Sequence, residues 1–251
     1  MSFPLVDIDT ADGRFQAYAA EPLQPAGAAV LVLPEIYNIN GWIRQVAERY
    51  AGQGFHVLVP DLYWRQEPGQ HLEYTPEHQQ RGRELAGALD RELAVRDIAA
   101  LAAGWRQRLP AGTPVIAVGY CLGGELAFLA AAAGAVDGAS GWYATNMARH
   151  LAQGERIRVP VQLHFGELDW RTPPELIQSV RAAVAGRPEV ELTVHAGADH
   201  GFGRFGHPPF HAAAAAAAHV RTLALIDALR AAASEASPGR SAAPPLEESH
   251  A

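Results

Sequence analysis

The sequence predicts an α/β protein, a mostly parallel central sheet with helices on both faces, on three observations. Apolar runs of strand length recur at residues 28–33, 55–59, 114–118, 159–165 and 190–194, each bounded by Gly, Pro or charged residues, as strands buried on both faces are. Helical spacing falls between them: Trp42, Ile43, Val46, Ala47 and Tyr50 lie three and four residues apart, and so do Leu122, Leu126, Leu129 and Ala130. The order therefore alternates strand and helix. Right-handed crossovers then bring the carboxyl ends of the strands to one edge, where open sheets of this kind bind ligands.

Taken in order, Ala11-Asp12-Gly13 reads as a tight turn, and the alternation Phe15, Ala17, Ala19 places one or two antiparallel strands on the border of the sheet. Residues 63–74 are polar, contain Pro and Gly and lack periodicity, so a surface loop over the site is expected there. A short strand is expected before Tyr143, and Arg171-Thr172-Pro173-Pro174 opens a helix. The alanine run from Ala212 to Ala218 reads as helix, and Leu223, Leu225, Ile226 and Leu229 support a closing helix. Residues 1–233 form one predicted domain. Residues 234–251, rich in Ser, Pro, Ala and Glu, are expected to be a disordered tail.

A chain of 251 residues with 49% hydrophobic and 19% charged residues can bury one large core. A formal charge of −7 argues against general affinity for nucleic acid or anionic membrane, which need a concentrated positive field. The start carries no basic segment followed by a long apolar run, and no stretch approaches the roughly 20 uninterrupted apolar residues of a membrane span. A cytoplasmic protein working on small molecules is the expectation, as a monomer or weak dimer. The single cysteine excludes an internal disulfide framework and leaves three readings: a buried small hydrophobe, a redox-sensitive thiol or a nucleophile.

That cysteine lies in Gly119-Tyr120-Cys121-Leu122-Gly123-Gly124, between a strand and a strong helical pattern. A nucleophile at such an elbow sits on strained backbone, and small residues two before and two after it keep strand and helix from colliding. Glycine supplies both. The helix N-terminus beside the thiol favours the thiolate. A tight turn with a packed, inert Cys121 would carry the same glycines.

The partners decide between these readings. Asp169 ends Leu163-His164-Phe165-Gly166-Glu167-Leu168-Asp169, and His200 lies in Ala198-Asp199-His200-Gly201-Phe202, each in a loop at the carboxyl end of a strand. A base there takes the thiol proton, and an acid at a neighbouring strand end orients its ring. Asp169 could be a helix cap, and His200 is one of 11 histidines. Together they follow the nucleophile, acid, histidine order of an α/β-hydrolase.

With these residues in hand the chain resembles the dienelactone hydrolases, or carboxymethylenebutenolidases, an α/β-hydrolase family with a Cys-His-Asp triad. The likeness covers nearly all of residues 1–233. It is carried by Pro34-Glu35-Ile36-Tyr37, Pro60-Asp61-Leu62-Tyr63, the elbow and His200-Gly201-Phe202-Gly203-Arg204. The resemblance implies hydrolysis of a carboxylate-bearing lactone or ester through an acyl-cysteine. It implies that Glu35 faces the cysteine as a switch, since a carboxylate near a thiol opposes the thiolate unless it takes the proton. It further implies an oxyanion hole from the backbone N–H groups of Ile36 and Leu122. Two arginines would hold the substrate carboxylate: Arg204, and Arg81 with Arg83 as its competitor. Tyr143 resembles a pocket tyrosine.

The segments Asn38-Ile39-Asn40, Asp169-Trp170-Arg171 and Tyr143-Ala144-Thr145-Asn146-Met147 depart from the family pattern at the border of the expected pocket. No metal or organic cofactor is implied. His195, Asp199, His200 and His207 have no established ligand spacing. A general carboxylesterase or thioesterase on the same site, and a non-catalytic thiol protein that binds or senses redox state, are the alternatives.

Overall fold

In a computed structural model, residues 4–236 are described. Eight strands form one sheet: β1 (Leu5–Thr10), β2 (Gly13–Ala20), β3 (Ala29–Leu33), β4 (His56–Pro60), β5 (Val115–Tyr120), β6 (Gly138–Trp142), β7 (Val161–Gly166) and β8 (Val190–His195). Their spatial order is β1-β2-β4-β3-β5-β6-β7-β8. β1 and β2 pair antiparallel through the expected turn, β2 runs antiparallel to β4, and every other pairing is parallel. The expected apolar runs are all strands, displaced by one or two residues at their ends.

The helices are α1 (Gly41–Gly52), α2 (Pro76–Ala88), α3 (Arg91–Arg108), α4 (Leu122–Ala132), α5 (Pro174–Ala183) and α6 (Ala212–Glu235). Strand period sorts the core into two layers. Ala29, Leu31 and Leu33 of β3 share one layer with Ile98 and Leu101 of α3, Leu126 of α4 and Ile177 of α5. Val30 and Val32 share the other layer with Trp42, Ile43 and Ala47 of α1 and Ala218 and Ile226 of α6. α1 starts where Asn40 accepts the Ile43 N–H at 3.0 Å, an N-cap contact, and it buries the face its spacing predicts. α3 has a less legible face, because Asp97 lies among its buried residues. Arg65 neutralises Asp97, and the Trp64 indole donates to it at 2.9 Å.

α6 carries the alanine run and the closing helix as one element through Glu235, so the domain continues past residue 233. The rest of the expected tail, 237–251, lies outside the described residues. By length and composition α6 is apolar enough to cross a membrane. Here it lies against the sheet through Ala214, Ala218, Thr222, Leu225 and Ile226. The segment 63–74 contains neither helix nor strand, but it is more than a surface loop. Tyr63 and Leu72 are buried, and Asp61 and Asn38 pin the segment through the N–H groups of Tyr63, Gly69 and Leu62 and the Gln70 carbonyl. Asn38, in one of the departing segments, is thus a scaffold residue.

Candidate active site

Cys121 caps α4 with φ 55° and ψ −112°, backbone that L-residues rarely adopt. The close packing around it explains the flanking glycines. A Cβ on Gly119 would lie 1.9 Å from the Gly123 carbonyl oxygen, and one on Gly123 would lie 2.0 Å from that of Leu33. Strand and helix approach so tightly only without side chains at these two places. The turn delivers Cys121, itself almost buried, to the floor of a cleft of about 430 Å³ at the carboxyl edge of the sheet.

His200 lines the same cleft, and its Nδ1 lies 2.8 Å from Oδ2 of the fully buried Asp169 side chain. The other Asp169 oxygen accepts the Arg171 N–H at 2.9 Å, which fixes the carboxylate. Burial disfavours a charged imidazole, but the neighbouring Cys121 and Asp169 outweigh it and push His200 up to about 9. The loops after β5, β7 and β8 thus bring Cys121, Asp169 and His200 together from widely separated parts of the chain. Ile36 and Leu122 also line the cleft beside Cys121. Leu122 is the first residue of α4, where an N–H has no carbonyl one turn earlier to pair with.

Glu35 is 2% exposed. Its two oxygens receive the Arg204 Nε–H at 2.9 and 3.0 Å, and the Tyr74 hydroxyl donates to it at 3.0 Å. Burial works against the Arg204 charge, yet Glu35 more than compensates and holds its pKa above the ordinary arginine value. Arg204 stacks between aromatic neighbours, 5.6 Å from the Tyr37 ring centroid and 5.0 Å from that of Tyr74. It still lines the cleft.

Two expectations need correction. Arg81 does not line the cleft; it pairs with Glu67 and, at 3.0 Å, with Glu84. The face of α2 that lines the cleft carries Gln79, Arg83, Ala86 and Gly87. Arg81 is two residues from Arg83, roughly 200° around a helix, so only one of the two can look inward. Tyr143 is also absent from the cleft wall. It is fully buried with its hydroxyl unpaired, and its ring packs edge-on behind His200 at 5.1 Å.

The histidines and acid weighed as metal ligands are dispersed. His195 lies 3.2 Å from His164, His200 is committed to Asp169, and His207 lies tilted against Tyr74 with ring centroids 4.6 Å apart. No group of three metal-binding side chains occurs among the described residues. Tyr74, Arg91, Arg149 and Trp170 were not singled out by the sequence as site residues, although Trp170 stood in a departing segment. Arg91, Arg149 and Trp170 line the cleft. Long loops and packed helices bring them there, and neither motif nor periodicity encodes such proximity.

The model of the "Dienelactone hydrolase family" matches residues 15–229. The chain belongs to the dienelactone hydrolase family. It is therefore a hydrolase with the α/β-hydrolase fold. A carboxymethylenebutenolidase of Pseudomonas putida is 32% identical over 220 residues, 87% of this chain and 93% of its own length. Carboxymethylenebutenolidase 1 of Cupriavidus pinatubonensis is 34% identical over 221 residues, again 87% and 93%. Among solved structures, a candidate dienelactone hydrolase of Klebsiella pneumoniae superposes with a TM-score of 0.79 at 24% identity, covering 90% of this chain and 98% of that one. At these lower identities the likeness concerns the fold.

Proposed function

We propose that this hydrolase opens a carboxylate-bearing lactone or ester through an acyl-cysteine intermediate, with Cys121 as nucleophile, His200 as general base and acid, and Asp169 as the group that orients His200. The observation that carries the proposal is the convergence of a strained, cleft-facing Cys121 with a His200 held at 2.8 Å by Asp169.

In this reading His200 holds the thiol proton and Cys121 attacks as thiolate. The sulfur–carbon bond forms as the carbonyl π pair moves to oxygen, where the N–H groups of Ile36 and Leu122 stabilise it. Collapse breaks the carbon–oxygen bond, and the leaving enolate or alkoxide takes the proton from His200. Water then gives a proton to His200, attacks the thioester and expels the thiolate. The sum is ester plus water to acid plus alcohol, with Cys121 and His200 restored. Arg204 anchors the substrate carboxylate, with Arg83 replacing Arg81 as the second candidate. Glu35 acts as a switch: an incoming carboxylate competes with it for Arg204, so substrate binding alters the charge next to the thiol.

Mass spectrometry during turnover of a lactone and ester panel should reveal an acyl group on Cys121. Cys121→Ala should lose about three orders of magnitude or more in kcat, the scale seen when a covalent nucleophile is removed. Near-normal hydrolysis by that variant would sink the mechanism. Equal turnover of neutral aryl esters and carboxylate-bearing lactones would replace it with a general esterase.

A further inference from the structure

The cleft is cationic although the chain carries a net charge of −7. Arg83, Arg91, Arg149, Arg171 and Arg204 line it, against a single acid, Asp199, whose Oδ1 accepts the His200 N–H at 2.6 Å. Two of these cations are neutralised inside the protein, Arg204 by Glu35 and Arg91 by Glu125. Arg83 donates to the amide oxygen of Gln79 at 3.1 Å. Arg149 and Arg171 have no acidic partner among the described residues.

These two arginines belong to one part of the wall. Arg149 ends a short 3-10 turn, Met147–Arg149, after β6, and Arg171 follows β7, the next strand in the sheet. The Arg171 guanidinium lies 4.4 Å from the Trp170 ring centroid, and its buried Nε has no hydrogen-bond partner. Trp170 is 72% exposed at the same cleft. The unsatisfied buried donor of Arg171 is costly for a folded chain alone, and the exposed Arg149 adds a second cation to the same wall, beside a flat aromatic surface. An oxyanion with a planar body would relieve both.

We propose that Arg149 and Arg171, with Trp170 beside them, form a subsite for a second anionic group of the substrate. The preferred substrate is then a lactone or ester carrying two acidic groups, a carboxylate at Arg204 and a further carboxylate or phosphate at the outer subsite. This rests on the reading of Arg204 as the anchor near Cys121 and adds a second point of charge recognition. Guanidinium suits both oxyanions through paired N–H donors. Trp170 and Arg171 stand in one of the segments that depart from the family pattern, and Arg149 lies two residues past the end of another.

The test is binding to the full chain carrying Cys121→Ala, measured by calorimetry with three esters: monomethyl glutarate, monomethyl 3-carboxyglutarate and monomethyl 3-phosphooxyglutarate. At least one of the last two should bind about tenfold or more tightly than monomethyl glutarate at low salt, and the gain should shrink as salt is raised. Whichever is tighter identifies the second group. Arg149→Gln with Arg171→Gln should reduce the gain to within about twofold, and Arg149→Gln alone, at an exposed residue, should reduce it partway. Equal affinity for all three esters, or a preference surviving in the double variant, would overturn the subsite. Because binding is read without turnover, the result stands apart from the catalytic role of Cys121, which is tested by acyl-cysteine formation in the wild type and by hydrolysis in Cys121→Ala.

Discussion

Two buried glutamates flank the elbow, each paired with an arginine, and they are bonded very differently. Glu125, on α4, is 1% exposed and accepts from Arg91 at 3.0 and 3.4 Å, His150 at 2.8 Å, Asn146 at 2.8 Å and Thr145 at 3.4 Å. It ties α3, α4 and the segment after β6 into one network. Burial alone would raise its pKa, but His150, Arg91 and Asn146 prevail and hold it below the usual carboxylate range. Glu35 has only Tyr74 and the Nε–H of Arg204, on loops at the cleft. A carboxylate saturated from several elements fixes structure. One held by a single cation that also lines the cleft is able to exchange partners.

The sharpest way to break this contrast is to remove each carboxylate in turn. Glu125→Ala leaves Arg91 and its neighbours around an uncompensated buried position and should cost about 3–5 kcal/mol of stability, read from denaturant or thermal unfolding. Glu35→Gln keeps the shape and an acceptor for Tyr74 but no longer orients the Arg204 guanidinium with two oxygens. It should lower kcat/KM for carboxylate-bearing esters about 100-fold, near 2.7 kcal/mol of barrier, since misplacing a binding group by 1 Å costs that much. Its stability loss should stay below about 2 kcal/mol, the scale of one charged hydrogen bond. If Glu35→Gln unfolds the protein as readily as Glu125→Ala while the folded fraction turns over normally, the two sites have been assigned the wrong way round.

The same contrast marks what the sequence reveals. Cys121, Asp169 and His200 could be found because strand ends and a glycine-flanked elbow give local signals, and the parallel sheet carries all three to one edge. Glu35 could be placed by its motif, but its attachment to Tyr74 could not, since the irregular segment 63–74 sets where Tyr74 goes. Glu125 left no trace. It sits in a run of apolar α4 residues, and its four partners come from α3 and from the segment after β6. Arg81 against Arg83 turned on helix phase: Gly82 packs where a Cβ would meet the Ile36 carbonyl oxygen at 2.6 Å, which fixes which neighbour looks into the cleft.

The smallest expected effect is the dependence of stability on pH, and it assigns one limb to each region. Glu125 has a folded pKa below its ordinary value of 4.5. Its contribution is therefore present above about pH 4.5 and is lost as pH falls through the folded value. His200 is shifted the other way, from 6.5 up to about 9. Its contribution is complete below pH 6.5 and is lost as pH rises through about 9. Burial opposes this shift, and the charge on Cys121 leads the causes that favour it. Cys121→Ala should therefore flatten the alkaline limb of a Tm–pH profile while leaving the acid limb intact, and Glu125→Gln should do the reverse. The changes to be read are a few degrees, at about 2–4 °C per kcal/mol for a chain of this length. An unchanged alkaline limb in Cys121→Ala would mean that Asp169 alone holds the imidazolium. The thiolate would then have no stabilising partner in His200, and the contrast between a fixed carboxylate and a reactive site would rest on Glu35 and Arg204 alone.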